Sequence, residues 1–90
     1  MSARRVRVLV HGRVQGVFFR AEARSRAESL GLAGSVRNLP DGSVEAVFEG
    51  EPEHVDSMVD WCKRGPAGAS VESVDVSTEK PTGKRGFAVS

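Results

Sequence analysis

The sequence predicts an α+β fold: two helices packed on one face of a mostly antiparallel sheet, in the order βαββαβ with a short final strand. Three observations carry this. Apolar residues alternate with polar ones in several short runs, the period of half-buried strands. Two longer stretches repeat apolar residues at helical spacing. Finally, 90 residues suit one modest core, so a single domain over residues 1–90 is expected. A sheet covered on one face gives both helical stripes and the strand alternation a common partner.

The first strand is read from Val6, Val8 and Val10, which alternate with Arg5, Arg7, Leu9 and His11. β-branched residues at period two place the three valines in the core and His11 at the rim. From about Arg20 to Leu30 the period changes. Phe19, Ala23, Ala27 and Leu30 form one helical stripe, whose alanines allow close approach to a sheet. Glu22 and Arg26, and Arg24 and Glu28, are spaced i, i+4, and Gly31 is placed to end the helix.

A second strand is expected from Gly34 to Leu39 and a third from Ser43 to Glu49, joined as a hairpin by Pro40-Asp41-Gly42. Val44, Ala46 and Phe48 share the core parity. The second helix starts at Pro52, where a missing N–H costs nothing, and ends before Gly65-Pro66. Val55, Met58, Val59 and Cys62 make its core stripe, with Trp61 at the stripe's edge. Val74 and Val76, with Val71 nearby, predict a fourth strand with an irregular start. Glu79 to Arg85 reads as a charged loop, and Phe87 and Val89 as a short last strand.

Net charge is only +1, yet residues 1–31 hold seven arginines against two glutamates, while residues 32–90 are net acidic. An anionic ligand is therefore expected near the N-terminal third. Cys62 is the only cysteine, which excludes an internal disulfide and points to a reducing cytoplasm. As part of the core stripe it reads as an inert thiol. His11 and His54 are far apart and no Cys/His cluster occurs, so no metal site is expected. No apolar run approaches ~18 residues and no signal-peptide pattern is seen, so no membrane partner is expected. The composition is compatible with a monomer.

One stretch carries chemistry: Gly12-Arg13-Val14-Gln15-Gly16-Val17-Phe18-Phe19-Arg20. A strand, a glycine-bearing turn and a helix start leave main-chain N–H groups pointing one way, with the positive end of the helix dipole behind them. That arrangement cradles an anion. Arg20 adds a planar fork that holds two phosphate oxygens at once. The spacing fits neither the Gly-Lys-Ser/Thr phosphate loop nor the dinucleotide fingerprint. Read alone, the segment is an anion site or a glycine-bent connection. Asn38, read alone, is a strand-end residue bonded to nearby backbone.

Together with Gly31-Leu32-Ala33-Gly34-Ser35-Val36-Arg37-Asn38 and Asp41-Gly42-Ser43-Val44-Glu45, this stretch resembles the acylphosphatase family over nearly the whole chain. The resemblance implies a ferredoxin-like αβ sandwich. It also implies hydrolysis of acyl phosphates to a carboxylate and inorganic phosphate without a metal or cofactor. Arg20 matches the family's phosphate-binding arginine and Asn38 its water-orienting asparagine. Gln15, Gly16, Val17, Phe18 and Phe19 match the loop whose amides surround the phosphate. Two departures stand out: Ser35 occupies a position where many members carry tryptophan, and Phe87-Ala88-Val89-Ser90 lacks the common Arg-Tyr type of ending. In some members the chain end lies near the active-site arginine.

Two other functions compete. A phosphate-binding module on the same fold would use the glycine loop, but would not need a water-positioning amide at position 38. An RNA-binding module would use the basic end and the open sheet face. Tyrosine is absent, however, and Phe48 has core parity, so the stacking platform is missing and nucleic acid is not expected as a partner.

Overall fold

In a computed structural model, which describes residues 2–90 of the chain, Val6, Val8 and Val10 are completely buried. Their strand, β1 (Arg4–Arg13), lies between two others in a five-stranded mixed sheet. The remaining elements are α1 (Phe19–Ser29), β2 (Ala33–Asn38), β3 (Val44–Gly50), α2 (Pro52–Arg64), β4 (Ser70–Glu79) and β5 (Phe87–Val89). The sheet order is β4-β1-β3-β2-β5. All pairings are antiparallel except β2 with β5, which run parallel. Both helices lie on one face, α1 over β2 and β5, and α2 over β1 and β4. This is the expected two-layer arrangement, and β5 supplies its one parallel pair.

The α1 stripe is buried at Phe19, Ala23 and Ala27, and the helix starts at Phe19, one residue before the expected Arg20. Its end is a Schellman motif, in which Leu32 N–H bonds to Ala27 C=O and Gly31 N–H to Glu28 C=O. Trp61 is deeper than an edge position implies. It is only 4% exposed, with its ring 5.0 Å from that of Phe19 and the Arg26 guanidinium 5.2 Å above it. The i, i+4 spacing that defines one stripe does not reveal that a neighbouring helix covers its flank. Strand β4 is also longer than Val74 and Val76 suggested. It begins at Ser70 because a register shift between His11 and Gly12 restores pairing beyond the irregularity.

The uncovered face is held by charge. Arg5 lies opposite both Glu49 and Glu79 in the register and bonds to each, at 3.0 and 2.9 Å. Glu45 accepts from Arg7 and Arg37 at 2.6 and 2.8 Å. Ser35 is on this face too, lining a small cavity with Val47 and Ala88, so the departure at position 35 is separated from Asn38 by the sheet. Glu49 is the most enclosed of these acids, at 5% exposed. It also accepts hydrogen bonds from the amides of Thr82 and Gly83 and from the Thr82 hydroxyl. The loop leading to β5 is thereby fastened to the sheet.

Burial alone would raise the Glu49 carboxyl. The Thr82 and Gly83 amides and the Arg5 guanidinium more than offset that and lower it from 4.5 to about 2. A carboxyl lowered on folding stabilises the fold fully above its unfolded value, and the contribution fades as pH falls through the folded value. Glu49→Gln is therefore expected to be less stable than wild type by about 2 kcal/mol at pH 6. That difference should shrink between pH 4.5 and about 2. Urea denaturation of both proteins across this range checks it; a difference independent of pH would contradict the assignment.

Candidate active site

The loop between β1 and α1 is fixed at both ends by burial. Val14 and Phe19 are 1% and 2% exposed, and the residues between them form a short arch on which Gly16 and Phe18 are exposed. Its two glycines do different work. A Cβ on Gly12 (φ +126°) would overlap the Ser70 carbonyl, so Gly12 lets β4 close against β1 at the bulge and takes no part in the site. Gly16 (φ +73°) has open space around it, and there the backbone conformation itself favours glycine. Phe18 is also left-handed, at φ 63° and ψ 21°, and precedes the first residue of α1. No side chain caps this helix start.

Gly16, Phe18, Phe19, Arg20 and Asn38 line one cavity of about 510 Å³, together with Val14, Ala21, Arg24 and Val89. Arg20 comes from the first turn of α1 and Asn38 from the end of β2. Strand parity brings them together: Asn38 shares the helix-facing side of β2 with Val36, which is fully buried, while Arg37 faces the opposite side and pairs with Glu45. Arg20 Nη1 donates to the main-chain oxygen of Ser90 at 2.7 Å. Ser90 is placed by its own N–H bond to Val36 C=O, at 3.1 Å. The segment after Phe87 therefore does reach the arginine.

Two of the five loop residues matched to the family pattern stand outside the cavity lining. Val17 turns toward the core and packs against it. The Gln15 carboxamide points away from the cavity and donates to the carbonyls of Leu39 and Ser43, at 2.8 and 2.9 Å. These are the ends of the β2–β3 turn, so Gln15 ties the arch to the strand carrying Asn38. The turn carbonyls are thus bonded by Gln15 rather than by Asn38, and among the described residues the Asn38 carboxamide has no hydrogen-bond partner. Asp41 steadies the same turn. The Ser43 hydroxyl and amide both donate to it and lower its carboxyl below the usual range.

Arg24 and Val89 are not signalled by the sequence, and Ser90 is raised only by the family resemblance, as an open question. Arg24 follows Arg20 by four residues, a helical neighbour spacing that could have drawn notice. Val89 and Ser90 reach the site only through the β2–β5 pairing, which no local signal encodes. None of the described residues lining the cavity is an acid or a histidine, and two are arginines, so its field is positive. Cys62 lies in the core with its thiol pushed up to about 12 by burial, which leaves no nucleophilic thiolate near neutral pH. No group of three His, Cys, Asp or Glu side chains suited to a metal ion occurs among the described residues.

The chain and its fold are similar to proteins already known. The acylphosphatase family model matches residues 6–89. An acylphosphatase from Rubrobacter xylanophilus is 62% identical over 89 residues, covering 98% of this chain and 81% of that protein. One from a Roseiflexus species is 58% identical over 90 residues, covering 99% and 97%. The solved acylphosphatase of Coxiella burnetii superimposes with a TM-score of 0.93 at 38% identity, covering 98% of this chain and 93% of that one. That of Bacillus subtilis gives 0.90 at 33% identity, covering 97% and 98%. By sequence over nearly its full length, and by the fold that carries the arch, Arg20 and Asn38, the chain belongs to the acylphosphatase family.

Proposed function

We propose that this chain hydrolyses the carboxyl-phosphate bond of acyl phosphates, with Arg20 and the arch amides binding the phosphoryl group and Asn38 orienting the attacking water. The observation that carries this reading is a single cavity into which the first-turn arginine, the uncapped helix start and a free carboxamide all project. Arg20 has one nitrogen engaged by Ser90, which fixes the guanidinium plane and leaves its other donors for phosphate oxygens. The amides of residues 15–19 form the phosphate-binding loop. Gln15 and Val17 serve it through the main chain and through anchoring, since their side chains go elsewhere.

The chemistry needs little else. Water attacks phosphorus in line, the bond from phosphorus to the acyl oxygen breaks, and the carboxylate leaves with the electron pair. Negative charge spreads over the equatorial oxygens, where Arg20 and the amides stabilise it. The Asn38 carboxamide accepts one hydrogen of the water and directs its lone pair at phosphorus. Asparagine is no base, and among the described residues that line the cavity there is no acid or histidine to serve as one. The proton therefore passes to an oxygen of the substrate itself. The chain acts as a single domain over residues 1–90 and as a cytoplasmic monomer. The one buried cysteine supports the compartment.

The test is hydrolysis of acetyl and benzoyl phosphate in chelator, with folding followed by circular dichroism. Arg20→Ala is expected to lose on the order of 10²–10³ in kcat and to weaken inhibition by inorganic phosphate. Arg20→Lys should recover little, because an ammonium lacks the fork. Asn38→Ala should lose about 10² in kcat with phosphate inhibition nearly unchanged, the mark of a group that acts on water. A folded wild type that binds phosphate but hydrolyses neither substrate would establish a binding module instead.

A separate expectation concerns the anchor. Gln15→Leu keeps the volume and removes both turn bonds. It should cost about 1 kcal/mol of stability and about ten-fold in kcat/KM, through loss of register between Arg20 and Asn38. Denaturation and steady-state kinetics on the same samples check both.

A further inference from the structure

Phe18 is 81% exposed, and it holds its backbone in the left-handed region that disfavours any residue with a Cβ. Glycine would relieve the backbone, and no core packing rewards the ring. An aromatic side chain here is explained by neither conformation nor burial, and an outlier of this kind at a site points to function. Val89 is the second observation. It is 39% exposed, and it lines the same cavity from a different element, β5. Phe87 is buried and stacked on Phe48 at 5.9 Å, and two residues on, the same strand face brings Val89 to the site, level with Val36 of the strand bearing Asn38. Among the described residues, the large exposed apolar side chains are Phe18, Val89 and Val76, so two of the three meet at this one cavity.

Resting on the hydrolase reading above, we propose that Phe18 and Val89 form the acyl subsite and select acyl phosphates whose acyl group is apolar and larger than acetyl. A cavity of about 510 Å³ has room for such a group beside the phosphate. The phosphate end is fixed by Arg20 and the arch, so the acyl group leaves it between the Phe18 ring and Val89. The second arginine of the cavity does not ask for a second anion, since Arg24 is engaged by Glu28 at 3.3 Å. Burying two exposed apolar side chains against an apolar acyl group is favourable for the same reason that core burial is.

The experiment compares kcat/KM for acetyl, benzoyl and succinyl phosphate in wild type, Phe18→Gly, Phe18→Leu and Val89→Ser. The quantity read is the benzoyl-to-acetyl ratio, in which any loss common to both substrates cancels. Wild type is expected to favour benzoyl over acetyl phosphate. Phe18→Gly, which suits the backbone, should lower the ratio about ten-fold. Val89→Ser should lower it by a few-fold, and Phe18→Leu should recover most of it. A ratio unchanged in Phe18→Gly overturns the proposal, as does a wild-type preference for the anionic succinyl group over benzoyl. Turnover of acetyl phosphate with an unchanged ratio removes only the acyl subsite, whereas a folded wild type inert toward all three substrates removes the hydrolase reading with it.

Discussion

Two hydrogen bonds from one carboxamide hold the two halves of the site together. Gln15 stands on the arch after β1 and donates to Leu39 and Ser43, across the mouth of the β2–β3 hairpin. The arch ends in Arg20, and the hairpin strand ends in Asn38. Chemistry at phosphorus depends on distance and line of approach, so groups from separate elements must share one frame. Burial of Val14 and Phe19 fixes the arch relative to the core, and Gln15 fixes it relative to the hairpin. The Phe19–Trp61 contact extends the frame to α2. Under the proposed mechanism, Asn38 is then left free to hold water.

A second chain of constraints runs through the opposite face of the sheet. Glu49 holds the amides of Thr82 and Gly83 while pairing with Arg5. Beyond that clamp the chain enters β5, pairs in parallel with β2 and delivers Val89 and Ser90 to the cavity. A buried charge is costly unless it is fully bonded, and Glu49 is bonded on both oxygens. Among the described residues the uncovered face carries no exposed aromatic platform; it is an ion-paired back plate that holds the approach to β5.

The strands, the helices and their core faces were legible because their signals are local. Alternation at Val6, Val8 and Val10 and the stripe of Val55, Met58, Val59 and Cys62 each follow from backbone period alone, and all of these residues are buried. The glycine-bearing turn and the arginine at a helix start were legible for the same reason, and Gly16 and Arg20 line one cavity. Resemblance to a family joined Asn38 to them. Local reading failed where a residue's environment comes from elsewhere in the chain. Trp61 looked marginal because the Phe19 and Arg26 that cover it lie on another helix. Gly12 looked like part of the ligand loop, although its conformation serves the close approach of Ser70.

The sequence by itself determined the element order, the core faces and the presence of a basic, glycine-bent helix start, since each depends on residues within a few positions of one another. The tertiary structure alone decided which side chains meet. Pairing of β5 with β2 set Ser90 on Arg20, the register of β1 set Arg5 between two glutamates, and the hairpin mouth gave the Gln15 side chain its two carbonyl partners. These contacts join residues 24 to 74 positions apart. Their partners are chosen by strand register and sheet order, which are global solutions of packing and hydrogen bonding that no short stretch of sequence contains.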